Sequence, residues 1–415
     1  MGAPLLHKAM LVGALALLGS GIAYAATANK DAAAHNPQAY DQIARGRYLA
    51  ILGDCAACHT DPGGKPYTGG EPIETPFGVV TSANITSDLE TGIGSWSDDD
   101  FVSALQTGRG NDGIRLYPAM PYPYFAKMSR DQILAIRAYL NTLEPVHNQV
   151  RTDDLPFPFK YRIGMLFWNA LFFDGKPFAP VRNKSAEWNR GALIVEGPGH
   201  CAACHTPKNF LGGDKTGNAL QGGNVQGWFA SDLTNDPHSG IADWSPDDIV
   251  AYLKSGQNRH AAATGSMSDV IRDSTSQMTD SDLQAIATYL KDLLAANSAH
   301  VQPVAQNDPA MRAGQAIYID NCSACHARDG SGVPNLIPPL KDSPDVQSSD
   351  STSLARIVLH GAQNVATAAN PTGPPMPPLD WKLSDQQVAA VLTYVRNSWG
   401  NAASAVDSGQ ASESR

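Results

Sequence analysis

The sequence predicts an all-α chain of three serial helical units, the first two resembling an internal duplication. Three observations predict it. The motif C-x-x-C-H occurs as Cys55-Ala56-Ala57-Cys58-His59, Cys201-Ala202-Ala203-Cys204-His205 and Cys322-Ser323-Ala324-Cys325-His326, and it uses all six cysteines. Each motif is followed by a segment that reads as a capped helix with a tyrosine ten residues after its cap: Ser129 and Tyr139, Thr279 and Tyr289, Ser384 and Tyr394. Trp96 and Trp244 stand 148 positions apart and Cys55 and Cys201 stand 146 apart, a nearly gapless register between the first two units.

With 415 residues, 42% of them hydrophobic, the chain can build several cores. A formal charge of -10 without a basic cluster excludes nucleic acid as a partner. Residues 1–25 read as a signal peptide. His7 and Lys8 precede an apolar run from Ala9 to Ile22, shorter than the ~20 residues that span a bilayer, and Ala23-Tyr24-Ala25 offers a cleavage site. The chain is therefore expected on the periplasmic side of the cytoplasmic membrane.

The first unit covers 40–150, the second 185–300 and the third 301–400. Gly46, Gly191 and Gly314 lie just upstream of the three motifs, where glycine lets the first helix of a unit cross the last one closely. Ser97 with Asp100 opens a helix that Gly108 closes, and Ser245 with Asp248 and Gly256 repeats it. Asp350 and Gly361 bound a weaker counterpart in the third unit. Each unit is expected to keep its own core. The connecting segment 151–184 is aromatic, with five of the eleven Phe between positions 157 and 173. It reads as packing between the first two units, or as an exposed patch that docks a partner or a membrane; Trp168 and Phe172, four apart on one helical face, are the expected contacts. The Ala- and Ser-rich tail, 401–415, reads as disordered.

C-x-x-C-H is the spacing of a c-type haem attachment signal. Two thiols three residues apart on one helical turn can bond the two haem vinyl groups while the adjacent imidazole turns to the iron. Cys55 and Cys58, Cys201 and Cys204, and Cys322 and Cys325 are thus expected to hold three haems, with His59, His205 and His326 as axial ligands. Zinc would need a further ligand at each motif, and a disulfide would leave three adjacent histidines unexplained. The opposite ligand is sought among methionines. Met128 and Met278 directly precede the caps Ser129 and Thr279, the place Leu383 holds in the third unit, and read as packing staples for Ile133, Leu283 and Val388. Met120, Met267 and Met376 remain, one per unit, at 61, 62 and 50 residues after the motif histidines. Proline flanks Met120 and Met376 and stiffens their loops; Met267 lacks it, and His260 is its rival. His/Met ligation leaves no open iron position, so electron transfer is expected rather than oxygen chemistry. No phosphate loop or nucleophile motif supplies substrate chemistry, so no catalytic residue is assigned.

The motifs are accompanied by Asn84-Ile85-Thr86, by Gly92-Ile93-Gly94 with Trp96, by the loop Tyr117-Pro118-Ala119-Met120-Pro121-Tyr122, and by Phe167-Trp168-Asn169 with Leu171-Phe172-Phe173. Over residues 40 to 400 the sequence resembles the three-haem cytochrome c subunits of membrane-bound bacterial dehydrogenases. The resemblance implies three tandem cytochrome c domains and three haem c. It implies electron transfer from a catalytic subunit of PQQ, flavin or molybdenum type that oxidises an alcohol, gluconate, sorbitol or a related compound. The electrons would pass to ubiquinone or a terminal oxidase of the respiratory chain, with peripheral attachment to the membrane. The alternative is a free-standing periplasmic multihaem carrier, or a haem peroxidase that uses the Met267 site.

Overall fold

The computed structural model describes residues 40–152, 154–295 and 301–415; the expected signal peptide lies outside them. The first unit contains α1 (Tyr40–Leu52), the hairpin β1 (Pro72–Thr75) and β2 (Gly78–Thr81), α2 (Asp98–Thr107) and α3 (Arg130–Leu140). A connecting helix, α4 (Gly164–Phe172), leads to α5 (Ala186–Glu196), the hairpin β3 (Gln221–Val225) and β4 (Trp228–Asp232), α6 (Pro246–Ser255), α7 (Ser266–Asp273) and α8 (Asp280–Leu290). Then follow α9 (Pro309–Asn321), α10 (Thr352–His360), the ribbon β5 (Ala362–Gln363) and β6 (Pro375–Met376), α11 (Asp385–Val395) and α12 (Ser408–Glu413).

One crossing recurs three times, between α1 and α3, α5 and α8, and α9 and α11. A Cβ on Gly46 would stand 1.8 Å from the Ala135 carbonyl oxygen, one on Gly191 1.9 Å from that of Ala285, and one on Gly314 2.1 Å from that of Ala390. The backbones touch, and only a hydrogen fits between them. The caps follow the sequence closely. Ser97 with Asp100, Ser245 with Asp248, Ser129 with Gln132 and Ser384 with Gln387 form reciprocal capping boxes, and Gly108 and Gly256 close α2 and α6 in the left-handed region. Met128, Met278 and Leu383 are buried together with Ile133, Leu283 and Val388, as staples should be. Thr279 departs from the pattern. It caps α8 through the Asp282 N–H, but the Asp282 carboxylate turns away to Arg190, at 2.8 and 2.7 Å, and to the Tyr48 hydroxyl of the first unit at 2.7 Å.

Four expectations are corrected. The chain is not purely helical, since three antiparallel ribbons stand among the helices. The ribbons are too short for a visible alternation, and their turns are local: Gln226 and Gly227 both have positive φ and join β3 to β4 by two residues. The tail 401–415 is ordered. Ala403, Val406 and Ala411 are buried, Asp407 caps α12, and Arg415 reaches Asp385 at 2.8 Å. Small apolar residues spaced through a polar sequence suffice because α10 and α11 supply the opposing surface. The first two units do not have separate cores; one continuous cluster runs from Leu49 and Leu140 to Ala192 and Leu290.

In α4 the packing reading holds, and the fourth correction concerns only Trp168 and Phe172 as docking contacts. Trp168 and Phe172 are the inner face of the helix. Trp168 Nε1 donates to the Leu211 carbonyl at 3.0 Å and its ring meets Tyr122 edge-on, while Phe172 fills the space that a Cβ at Gly213 would need. Asn169, between them, accepts from the Tyr122 hydroxyl at 2.5 Å. Ile163, Phe167 and Leu171 form the outer stripe, 63%, 67% and 68% exposed. A spacing of four marks a shared face without saying which side of it meets protein. Among the described residues, no helix is long and apolar enough to cross a membrane.

Candidate haem sites

The three motifs adopt one local geometry. The amide of His59 bonds the Cys55 carbonyl at 2.9 Å, that of His205 the Cys201 carbonyl at 3.0 Å, and that of His326 the Cys322 carbonyl at 2.9 Å. Each Cys pair and its His therefore share one helical turn. All six thiols are free. Burial pushes Cys55, Cys58 and Cys201 up to about 12 and Cys322 up to about 11. A dithiol redox centre needs the opposite shift, toward the thiolate. Among the described residues no three His, Cys, Asp or Glu side chains gather to hold a metal ion by themselves.

The hairpins β1–β2 and β3–β4, which the sequence does not announce, position the first two imidazoles. His59 Nδ1 lies 2.7 Å from the Ala83 carbonyl, just beyond β2, and His205 Nδ1 lies 2.6 Å from the Ser231 carbonyl within β4. His326 Nδ1 is buried beside the Pro338 carbonyl without closing a bond of ordinary geometry. Burial lowers the pKa of all three imidazoles, each against the opposing pull of its carbonyl. A neutral ring with its Nδ1 proton committed presents Nε2 as a lone pair.

The three methionines occupy three different settings. Met120 sits in a tight turn, its N–H on the Tyr117 carbonyl at 3.0 Å and its carbonyl on the Tyr122 N–H at 2.7 Å, and packs on the core that Cys55 also borders. Met267 lies in the first turn of α7 and packs beside Tyr252 and Ile271. Met376 is in β6, paired with Ala362, and its carbonyl passes so close to Gly361 that a Cβ there would stand 2.5 Å from it. The rival His260 is engaged elsewhere: it stacks on Trp244 at 5.4 Å and accepts from Arg259 at 3.1 Å.

The first two motifs face each other. Asp54 precedes Cys55 and His200 precedes Cys201, both with positive φ, and His200 Nε2 stands 3.4 Å from the Gly53 carbonyl. Cys204 stands near enough to add, after burial and Asp54, to the upward push on the Cys58 thiol. Asp54 is buried with Oδ1 unpartnered, and burial, with Asp273 and Asp269 adding to it, raises its carboxyl to about 8.

Comparison with known proteins gives this geometry a family. The chain is 39% identical to the gluconate 2-dehydrogenase cytochrome c subunit of Pantoea cypripedii, over 95% of this chain and 93% of that protein. It is 39% identical to the cytochrome c subunit of the quinone-dependent alcohol dehydrogenase of Gluconobacter oxydans, over 86% and 79%, and 34% identical to the fructose dehydrogenase cytochrome subunit of Gluconobacter japonicus, over 94% and 85%. The chain belongs to the cytochrome c subunits of bacterial dehydrogenases. The cytochrome c family model matches residues 311–399 of this cytochrome c subunit, a stretch that includes the third motif and Met376. Haem c goes with that family, and the residues present fit it: paired free thiols on one helical turn, an imidazole oriented by a carbonyl in the first two motifs, and Trp244 Nε1 buried without a partner, a donor suited to an anionic group.

Proposed function

We propose that the chain carries three haem c, attached at Cys55 and Cys58, Cys201 and Cys204, and Cys322 and Cys325. The residues that would ligate the irons are His59 and Met120, His205 and Met267, and His326 and Met376, one pair for each of three cytochrome c domains. Bound there, the haems supply one-electron transfer. The polypeptide would fix their spacing, with the first and second attachment motifs side by side. The helical turn repeated at all three motifs is the observation that carries this reading. The electron donor is a dehydrogenase catalytic subunit, as the names of the relatives suggest; in this reading it is of PQQ, flavin or molybdenum type, and the acceptor is ubiquinone or a terminal oxidase on the periplasmic side of the cytoplasmic membrane.

Peripheral membrane association belongs to the same proposal. The outer stripe of α4, Ile163, Phe167 and Leu171, is flanked in sequence by Lys160, Arg162, Lys176 and Arg182, in a chain of net negative charge. An apolar face beside basic side chains suits an anionic membrane interface.

Mass spectrometry of the mature protein, beginning at Ala26, tests the haem count. Three haem additions are expected, and two or fewer in a fully matured sample overturn it. Met120→Leu should lower one reduction potential and admit carbon monoxide, whereas Met128→Leu should do neither. Co-purification with a substrate-oxidising subunit distinguishes this role from a free-standing carrier.

A further inference from the structure

Ser231 in β4 and Ala83 beyond β2 are counterparts in the duplication, 148 positions apart. Each offers its carbonyl to a motif histidine, yet only Ser231 has a hydroxyl. That hydroxyl donates to Asp345 Oδ1. Asp345 comes from the third unit, in the single helical turn Pro344–Gln347. It is brought there by the seating of that unit on the β3–β4 hairpin. Ser353 Oγ accepts the Phe229 N–H at 2.8 Å, Asp350 accepts from Asn224 at 3.1 Å, and the Arg356 guanidinium lies 5.0 Å over the Trp228 ring. Burial pushes the Asp345 carboxyl up, while the Ser231 hydroxyl and His205 hold it down.

We propose that Asp345 is a positioning residue which, through Ser231, orients the His205 imidazole and lowers the reduction potential of the second haem, so that the third unit sets the electron affinity of the second. The bond to Asp345 fixes Ser231, whose carbonyl in turn fixes the His205 ring, and a negative charge held near a ligating imidazole favours the oxidised iron. The first unit is the internal control, since Ala83 offers the carbonyl but has no hydroxyl for a carboxylate to hold. The inference rests on His205 being an iron ligand.

Optical redox titration of the haem-loaded full chain tests it, with Asp345→Asn, Ser231→Ala and the double variant beside the parent. Asp345→Asn should raise one of the potentials, shifting that haem's reduction equilibrium about threefold to tenfold, where tenfold corresponds to about 59 mV for one electron. The other potentials should stay in place. Ser231→Ala should move the same wave in the same direction, and the double variant should move it no further than the larger single change. No movement in Asp345→Asn, equal movement of all waves, or additive effects would each overturn the proposal. Haem mapping on the same samples separates the two readings. A parent chain without haem at Cys201 and Cys204 removes the assignment of His205, whereas full loading with an unmoved potential removes only the role of Asp345.

Discussion

The first two units and the third solve the problem of association differently. Units one and two share a single core, and their motif segments touch through His200 and Gly53. The third unit keeps its apolar residues in clusters of its own, around Val388 and Leu392 and around Met311 and Tyr318. It meets the second unit through hydrogen bonds to the β3–β4 hairpin, further ones to His238, Ser255 and Gln257, and a small cluster of Ala263, Ile271 and Val365. A fused core makes two units one cooperative body, whereas a largely polar contact leaves the third able to open on its own. The pair that faces motif to motif is thus the rigid one, and the third unit influences its neighbour through particular side chains.

Three experiments can break or sharpen this contrast. The largest effect is expected from the crossings. Gly191→Val places side-chain atoms inside the Ala285 carbonyl, and Gly314→Val does the same at Ala390. Each should cost at least about 3 kcal/mol, because backbone cannot yield as a side chain can. In calorimetry Gly191→Val should lower the transition of the first two units together, and Gly314→Val that of the third alone. If Gly191→Val left the first unit at its parent melting temperature, the shared core would not be cooperative.

Asp54 supplies a smaller, pH-dependent effect. Its carboxyl is raised from 3.8 to about 8 by burial in the contact between the first two units. A carboxyl that binds its proton more tightly folded than unfolded loses stability as pH rises through that window, by at most about 1.4 kcal/mol per pH unit. Asp54→Asn should flatten this slope for the joint transition and leave the third unit's pH profile alone. Thermal melts across the window check it, and an unaltered slope would show that Asp54 is solvated. The smallest effect concerns the caps. Ser129→Ala and Ser384→Ala each remove one side of a capping box and should cost about 1 kcal/mol. Chemical denaturation should assign the first loss to the joint transition and the second to the third unit.

Much of this organisation is legible in the sequence. The motifs, the capping boxes at Ser97, Ser129, Ser245 and Ser384, the staple role of Met128 and Met278, and the crossing glycines all depend on partners a few residues away or on a repeat that supplies its own comparison. Asp282 resembles a cap in sequence yet bonds Arg190 and Tyr48, residues 92 and 234 positions distant. Nothing local distinguishes it from Asp100 or Asp248. The ordered tail, the inward turn of Trp168 and Phe172, and the reach of Asp345 to Ser231 share this character. A hydrogen bond or an i to i+4 contact is specified by the residues that make it, so the sequence by itself determines motifs, caps and stripes. Which face of a stripe is covered, and which carboxylate meets which hydroxyl across 114 positions, depends on surfaces that exist only after the helices have crossed and the units have docked.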